Sequence, residues 1–228
     1  FLELKEVFGN KNIDIDTKLK ILSSYFLLVE QYPELKEQAL ALNEILIKNN
    51  PNEAGAHVFY GEFLYQDKKL NEAQAQYKKA IALDGKNFAV WQQLLKVEFD
   101  LQAYDSVVLH SDQAIELFPN QPVFYYFNGI ALLQLKKYKD AISKLQSGVK
   151  MVVDNSLFEA DFYANIGDAF HKLKSMKDSD KAFNKAISLD PKNANTLNNY
   201  SYYLSLRGDS LDKAESLSRK SNELEPNN

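Results

Sequence analysis

Asp161, Asn165, Asp168 and His171 follow one another at steps of four, three and three residues, a spacing that sets all four on one face of a helix. Asp168 and His171 could together ligate a metal ion. A helix-borne carboxylate site also needs ligands from a facing helix. The helical segments expected beside this one offer Tyr126, Ile130 and Leu133 on one side and Asn198, Asn199 and Tyr202 on the other. That set is too poor in ligands, so no metal is expected, and the Asp168 and His171 pair is the only feature that would speak for catalysis. His57 and His110 stand apart from it in sequence and read as packing or surface residues. A Gly-rich phosphate loop, a metalloprotease His pair on one helix turn and a nucleophile elbow are all missing from the sequence, which leaves no catalytic residue and no cofactor to assign.

With no cysteine among 228 residues, disulfides, thiol nucleophiles and cysteine metal sites are excluded. The net charge is -4, and 27 basic residues are scattered among 31 acidic ones. Phosphate-driven binding needs clustered Lys and Arg, so nucleic acid is not expected as a partner. Apolar runs are short and broken by charge, below the ~18 residues of a membrane span, and the start carries no leader pattern, so no direct membrane insertion is expected. A content of 45% hydrophobic and 25% charged residues with 8 Gly and 6 Pro is that of a chain with a buried core. The chain begins at Phe1 and ends Glu225-Pro226-Asn227-Asn228, where a further repeat would begin; a piece of a longer protein is expected.

The elements that carry these residues are set by an internal repeat. Leu70 answers to Tyr104, Ala80 to Ala114 and Gly85 to Pro119, each 34 residues on. Pro51 extends the series upstream, Gly61 and Gly129 lie two steps apart, and Ala39, Ala73 and Ala141 one or two. A segment that cannot bury its apolar face alone must stack on copies of itself, so the pattern specifies an array before it specifies any site. About six periods fill nearly the whole length and leave no room for a second fold.

Within a repeat counted from residue 88, Trp91 takes slot 4, Leu94 slot 7, Tyr104 slot 17, Ala114 slot 27 and Pro119 slot 32. In the repeat before, Gly61, Ala73, Tyr77 and Ala80 fill slots 8, 20, 24 and 27. This pattern resembles the tetratricopeptide repeat family and covers residues 20–228. Small residues at slots 8, 20 and 27 let two antiparallel helices approach closely, while large ones at 4, 7 and 24 fill the space between. The 35-residue RNA-reading helical repeat does not keep this pattern. The resemblance implies an all-α fold, a right-handed superhelical solenoid of antiparallel helix pairs, forming one domain over residues 1–228.

In chain order, an apolar stripe over residues 1–8 ends at Gly9-Asn10, and residues 1–19 read as the tail of a preceding helix plus a linker. Helix pairs are expected over about 20–53, 54–87, 88–121, 122–155, 160–193 and 194–228. Asp14 and Asp16 mark a helix start, and Pro33 opens the next helix. The repeat from 122 replaces Ala and Pro at slots 27 and 32 by Gly148 and Val153, and Gly129 to Gly167 is 38 residues rather than 34. An extended second helix and a longer connection around Met151 to Phe158 are therefore expected. The last repeat has one extra residue in the turn at Arg207-Gly208-Asp209, and Ser218 and Ser221 at slots 24 and 27 leave its second helix less able to pack onward.

The resemblance further implies that first helices line a concave surface with slots 2, 5, 6, 9, 12 and 13. The partner-facing residues are then Gln92, Gln93, Lys96, Tyr126, Asn165, Asp168, Asn198, Asn199 and Tyr202. Asn and Gln each donate and accept, so a ladder of them can pair with an extended backbone whatever its sequence. A basic clamp for acidic C-terminal tails would need Lys or Arg at slots 2, 5 and 6; only Lys96, at slot 9, is basic, so such tails are not expected there. The expected function is a non-enzymatic interaction module for a peptide or partner protein. The alternative is an assembly part that docks through uncapped end repeats, which would make a homo-oligomer. Residues 198–204 with Gly208 and Leu211-Asp212-Lys213-Ala214 resemble late repeats of large bacterial tetratricopeptide proteins, which implies a periplasmic or cell-envelope scaffold as one setting; the sequence itself leaves the compartment open.

Overall fold

The computed structural model describes residues 1–208 and 210–226. Asp209, expected within the lengthened last turn, and Asn227 and Asn228 lie outside them. All regular structure among the described residues is helical: α1 (Leu2–Gly9), α2 (Ile15–Gln31), a 3-10 turn (Pro33–Leu35), α3 (Lys36–Asn49), α4 (Ala54–Gln66), α5 (Leu70–Leu83), α6 (Phe88–Asp100), α7 (Tyr104–Leu117), α8 (Pro122–Gln134), α9 (Tyr138–Val149), α10 (Ser156–Lys172), α11 (Met176–Leu189), α12 (Ala194–Arg207) and α13 (Leu211–Leu224). Contacts gather them into two compact units, Phe1–Ala103 and Tyr104–Asn228. Each is an all-α stretch of solenoid of the expected class, in which a helix packs mainly on its sequence neighbours.

In the first unit Phe8, Leu22, Leu42, Leu46 and Phe63 form one buried cluster, and Leu64, Tyr77, Leu94 and Val97 belong to a second. In the second unit Leu145, Phe162 and Ile166 form one cluster and Phe183, Tyr200 and Leu204 another. The steric argument for slot 8 holds at atomic distances. A Cβ added at Gly61 would sit 2.8 Å from the Tyr77 ring, and one at Gly167 would sit 2.8 Å from the Phe183 ring. Both aromatic rings come from slot 24 of the second helix, so the glycine is the space that ring occupies. Ser221 keeps slot 27 small in the last pair and adds a bond, donating from Oγ to the Ala194 carbonyl at 2.8 Å while fully buried. The substitution is thus compatible with close packing of α13 on α12.

Two local devices recur that the sequence did not announce. Lys68, Gln102, Lys136, Lys174 and Gly208 all have φ between +56° and +65°, and all occupy slot 15, just past a first helix. The amides one residue later, at Lys69, Ala103, Lys137 and Ser175, bond back to carbonyls five residues earlier. This is the left-handed C-terminal cap of a helix, built four times without glycine. The second device joins slot 4 to the preceding breaker: His57 Nε2 meets the Pro51 carbonyl at 3.0 Å, Trp91 Nε1 donates to Gly85 O at 2.9 Å and the Tyr125 hydroxyl to Pro119 O at 3.0 Å. His57, buried and also 2.7 Å from Gln76 Oε1 through Nδ1, therefore does the work of a slot 4 aromatic.

One expectation is overturned. The second helix of the 122 repeat does not run on. It stops at Val149 after 12 residues, and the extra length appears at the start of the next helix, α10, which has 17. Asn155 caps α10 by accepting from the Phe158 amide at 3.0 Å, and Asp154 adopts φ 50° before it. A side-chain cap ahead of Ser156 competes for the connecting residues, and β-branched Val152 and Val153 are poor continuations of a helix.

Candidate functional site

First helices in both units carry the residues expected to face a partner. In the first, α6 presents Gln92 and Lys96 exposed and Gln93 half-buried. Lys96 Nζ lies 4.7 Å from the centroid of the Tyr65 ring, a cation over a π-face. The Tyr65 hydroxyl donates to Asp100 Oδ2 at 2.6 Å, and burial with that bond pushes its pKa up to about 12. Gln92 and Gln93 make no side-chain hydrogen bond among the described residues. This face is an amide pair beside an already paired lysine.

In the second unit, α10 touches both α8 and α12, so residues from three first helices meet. Tyr126 of α8 is taken up largely by packing: its ring stands edge-on to Phe158 and Phe162 at 5.2 and 5.1 Å, and burial pushes its pKa up to about 12. Asn165 of α10 donates to the Tyr126 hydroxyl at 3.3 Å and to the Asp161 carbonyl at 2.8 Å. Next to it opens a cavity of about 340 Å³ lined by Leu133, Lys136, Asn165, Asp168, Lys172 and Tyr203, among others.

Asp168 is the unusual group in that cavity. Burial raises its pKa to about 6, against the opposing pulls of the Tyr203 hydroxyl, which hydrogen-bonds it, and of Lys172. Its Oδ1 is shielded from solvent and has no hydrogen-bond partner. Tyr203 is held in turn by His171, whose ring stacks on it at 3.6 Å and 13°, and its own pKa is raised by burial and by Asp168. His171 is pushed down by burial, and its Nδ1 is likewise shielded and unpartnered. The two residues weighed as metal ligands are thus joined through a tyrosine instead. Among the described residues no group of three or more His, Cys, Asp or Glu is placed to hold a metal ion.

Asn198, Asn199 and Tyr202 of α12 are exposed outside the cavity lining, with the Tyr202 ring 5.9 Å from that of Tyr203. Of the nine residues expected, the structure brings Asn165 and Asp168 together in one cavity, sets Tyr126 behind them as support, and leaves the α12 trio on its flank. Tyr203, Lys136 and Lys172 were missed. Tyr203 is at slot 10, outside the slots that the resemblance points to. The available signal was its place on the next first helix, 35 residues beyond Asp168 and so one more than the period.

Sequence comparisons find models described as tetratricopeptide repeat at residues 36–88, 160–193 and 182–215. The STIP1 homolog of Dictyostelium discoideum is 30% identical over 95 residues, which are 42% of this chain and only 16% of that protein. Among solved structures, MamA from Desulfovibrio magneticus RS-1 is similar with a TM-score of 0.66 and 22% identity, over 76% of this chain and 95% of that one. YrrB, a repeat protein described as having an unusual peptide-binding site, gives a TM-score of 0.61 at 18% identity, over 81% of this chain and 93% of its own. Among the described residues no helix is long and apolar enough to cross a membrane.

Proposed function

We propose, from the premise that this chain belongs to the tetratricopeptide repeat family, that it is a protein-interaction module holding an extended segment of a partner protein against α8, α10 and α12 of its second unit. The observation that carries this reading is the Asp168 carboxylate, which lines a 340 Å³ cavity and whose Oδ1 is shielded and unpartnered. A buried acceptor without a donor costs about 1–3 kcal/mol, and a shift of the Asp168 side chain toward a bound peptide N–H removes that cost. Lys136 and Lys172 are the complementary donors for backbone carbonyls, and exposed Asn198, Asn199 and Tyr202 continue the track along α12. YrrB, a fold relative, supports peptide binding as a use of such a surface.

The test is selection of phage-displayed random 12-residue peptides on the chain, followed by anisotropy measurements on variants. Selected peptides are expected to lose at least tenfold in affinity on Asp168→Ala, about 1.4 kcal/mol, and to weaken on Asn198→Ala with Tyr202→Ala. Peptides that bind all variants equally would sink the proposal. A second reading, self-assembly, draws on Tyr202, Leu206 and Leu211, exposed at 56%, 61% and 57% on the last helix pair. It predicts a molar mass by light scattering that rises with concentration and returns to monomer on Leu206→Glu with Leu211→Glu.

A further inference from the structure

A second groove runs along α10 on another face, between α9 and α11, and shares no lining residue with the cavity at Asp168. Its volume is about 510 Å³, within the roughly 300–1,000 Å³ of pockets that enclose sizeable groups. The floor is apolar, from Val149, Tyr163, Ile166, Phe170 and Ala182, and the rim carries Lys150, Lys181, Lys185 and Asp178. We infer that this groove docks an acidic segment of a partner protein, with one or two large apolar side chains in the floor and carboxylates against the lysines.

The groove exists because the repeat is broken there. In three preceding repeats the slot 4 side chain is held by a carbonyl six residues upstream, as at His57, Trp91 and Tyr125. Six residues upstream of Tyr163 is Leu157, already inside α10, so no turn carbonyl is within reach. Tyr163 has no hydrogen-bond partner among the described residues; its ring packs against the cluster of Leu145, Phe162, Ile166 and Ala182, and Lys185 Nζ lies 5.8 Å from the ring centroid. Its side chain lines the groove.

Charge selects the occupant. The whole chain is acidic at -4, yet this rim is three lysines to one aspartate. Asp178 already accepts from Ser175 Oγ at 2.7 Å at the start of α11, and Lys185 is 3.6 Å from Glu159. Lys150 and Lys181 are exposed and have no such partner among the described residues. An apolar floor with two uncommitted cations above it matches apolar anchors flanked by Asp or Glu, and repels a basic segment.

The probe is a fluorescein-labelled 14-residue peptide of Glu, Leu and Ala with Leu at helical spacing, compared with the same peptide carrying Lys for each Glu. Anisotropy titration against the whole chain is expected to show binding of the acidic peptide alone, weakened by raising salt from about 50 to about 300 mM. Lys150→Glu with Lys181→Glu, both exposed sites, should reduce affinity at least roughly tenfold with unchanged circular dichroism. Lys136→Glu with Lys172→Glu, in the other cavity, should leave it within about twofold, which separates this inference from the proposed peptide track. Equal binding of both peptides, no acidic-peptide binding at about 1 mM, an unaffected Lys150/Lys181 variant, or loss of binding in step with dimer formation would each overturn it.

Discussion

Replacing Asp168 by Asn should make the protein more stable at neutral and alkaline pH. A carboxyl whose pKa is raised to about 6 from an ordinary 3.8 favours its protonated form in the folded state, and the difference corresponds to about 3 kcal/mol. The favourable contribution of the neutral carboxyl is fully present below pH 3.8 and is lost as pH rises through 6, so the native chain holds an ionised group at a disadvantage above that range. Asparagine is never ionised and can still accept from Tyr203, though through a weaker, uncharged bond. The net expectation is a gain of about 2 kcal/mol at pH 8 that shrinks to near zero by about pH 3.5. Native-state hydrogen exchange at the α10 amides measures it where the change is made. Trp91, the single tryptophan, reports by fluorescence on the first unit and serves as the control. A variant that is less stable at pH 8, or whose advantage does not vary with pH, would refute the claim that burial dominates at Asp168.

Gly167→Ala should cost about 1–3 kcal/mol, because its Cβ would meet a Phe183 ring that is itself stacked on Tyr200 at 5.0 Å and cannot turn aside; urea unfolding with and without Phe183→Ala would show the coupling. His57→Leu should cost about 1–2 kcal/mol, because a buried imidazole loses its bonds to Gln76 and to the Pro51 carbonyl, and Trp91 fluorescence in the same unit reads it directly. Lys174→Gly should stabilise by up to about 1 kcal/mol, since φ +60° strains a side-chain-bearing residue more than glycine's extra unfolded freedom costs; an unchanged or lower melting temperature would argue against strain there.

Fold and site were legible to different depths because they are written in different currencies of information. The small residues at slots 8, 20 and 27 repeat because each faces a large neighbour at fixed distance, so periodicity alone exposes them. The left-handed residue at slot 15 repeats equally well in space but is Lys, Gln, Lys and Lys in four repeats; the surrounding turn enforces the conformation, and no side chain advertises it. Gly148 for Ala and Val153 for Pro removed a stop signal in sequence, yet the Asn155 cap decided where the added turn went. That Asp168 and Asn165 share a cavity follows from their place on one face of a first helix. Tyr203, which orients Asp168, was not, since its role depends on the approach of α12 to α10 rather than on its own slot.

The irregular length before α10 is of a size that leaves the core undisturbed. Four residues are close to one helical turn of 3.6, so extending α10 upstream by that much keeps Tyr163, Gly167 and Ala169 in their slots, and Gly167 still meets Phe183. What the extension removes is the slot 4 carbonyl partner, and with it the closure of the groove at Tyr163. On α10 the groove is lined by Tyr163, Ile166 and Phe170, and the cavity by Asn165, Asp168 and Lys172. Each set follows a three-then-four spacing and so occupies its own face. Between them Phe162 and Ala169 are fully buried and fix the helix. Since neither set borrows a side chain from the other, charge reversal at one face should leave binding at the other unchanged, and a measured coupling would mean that α10 itself moves.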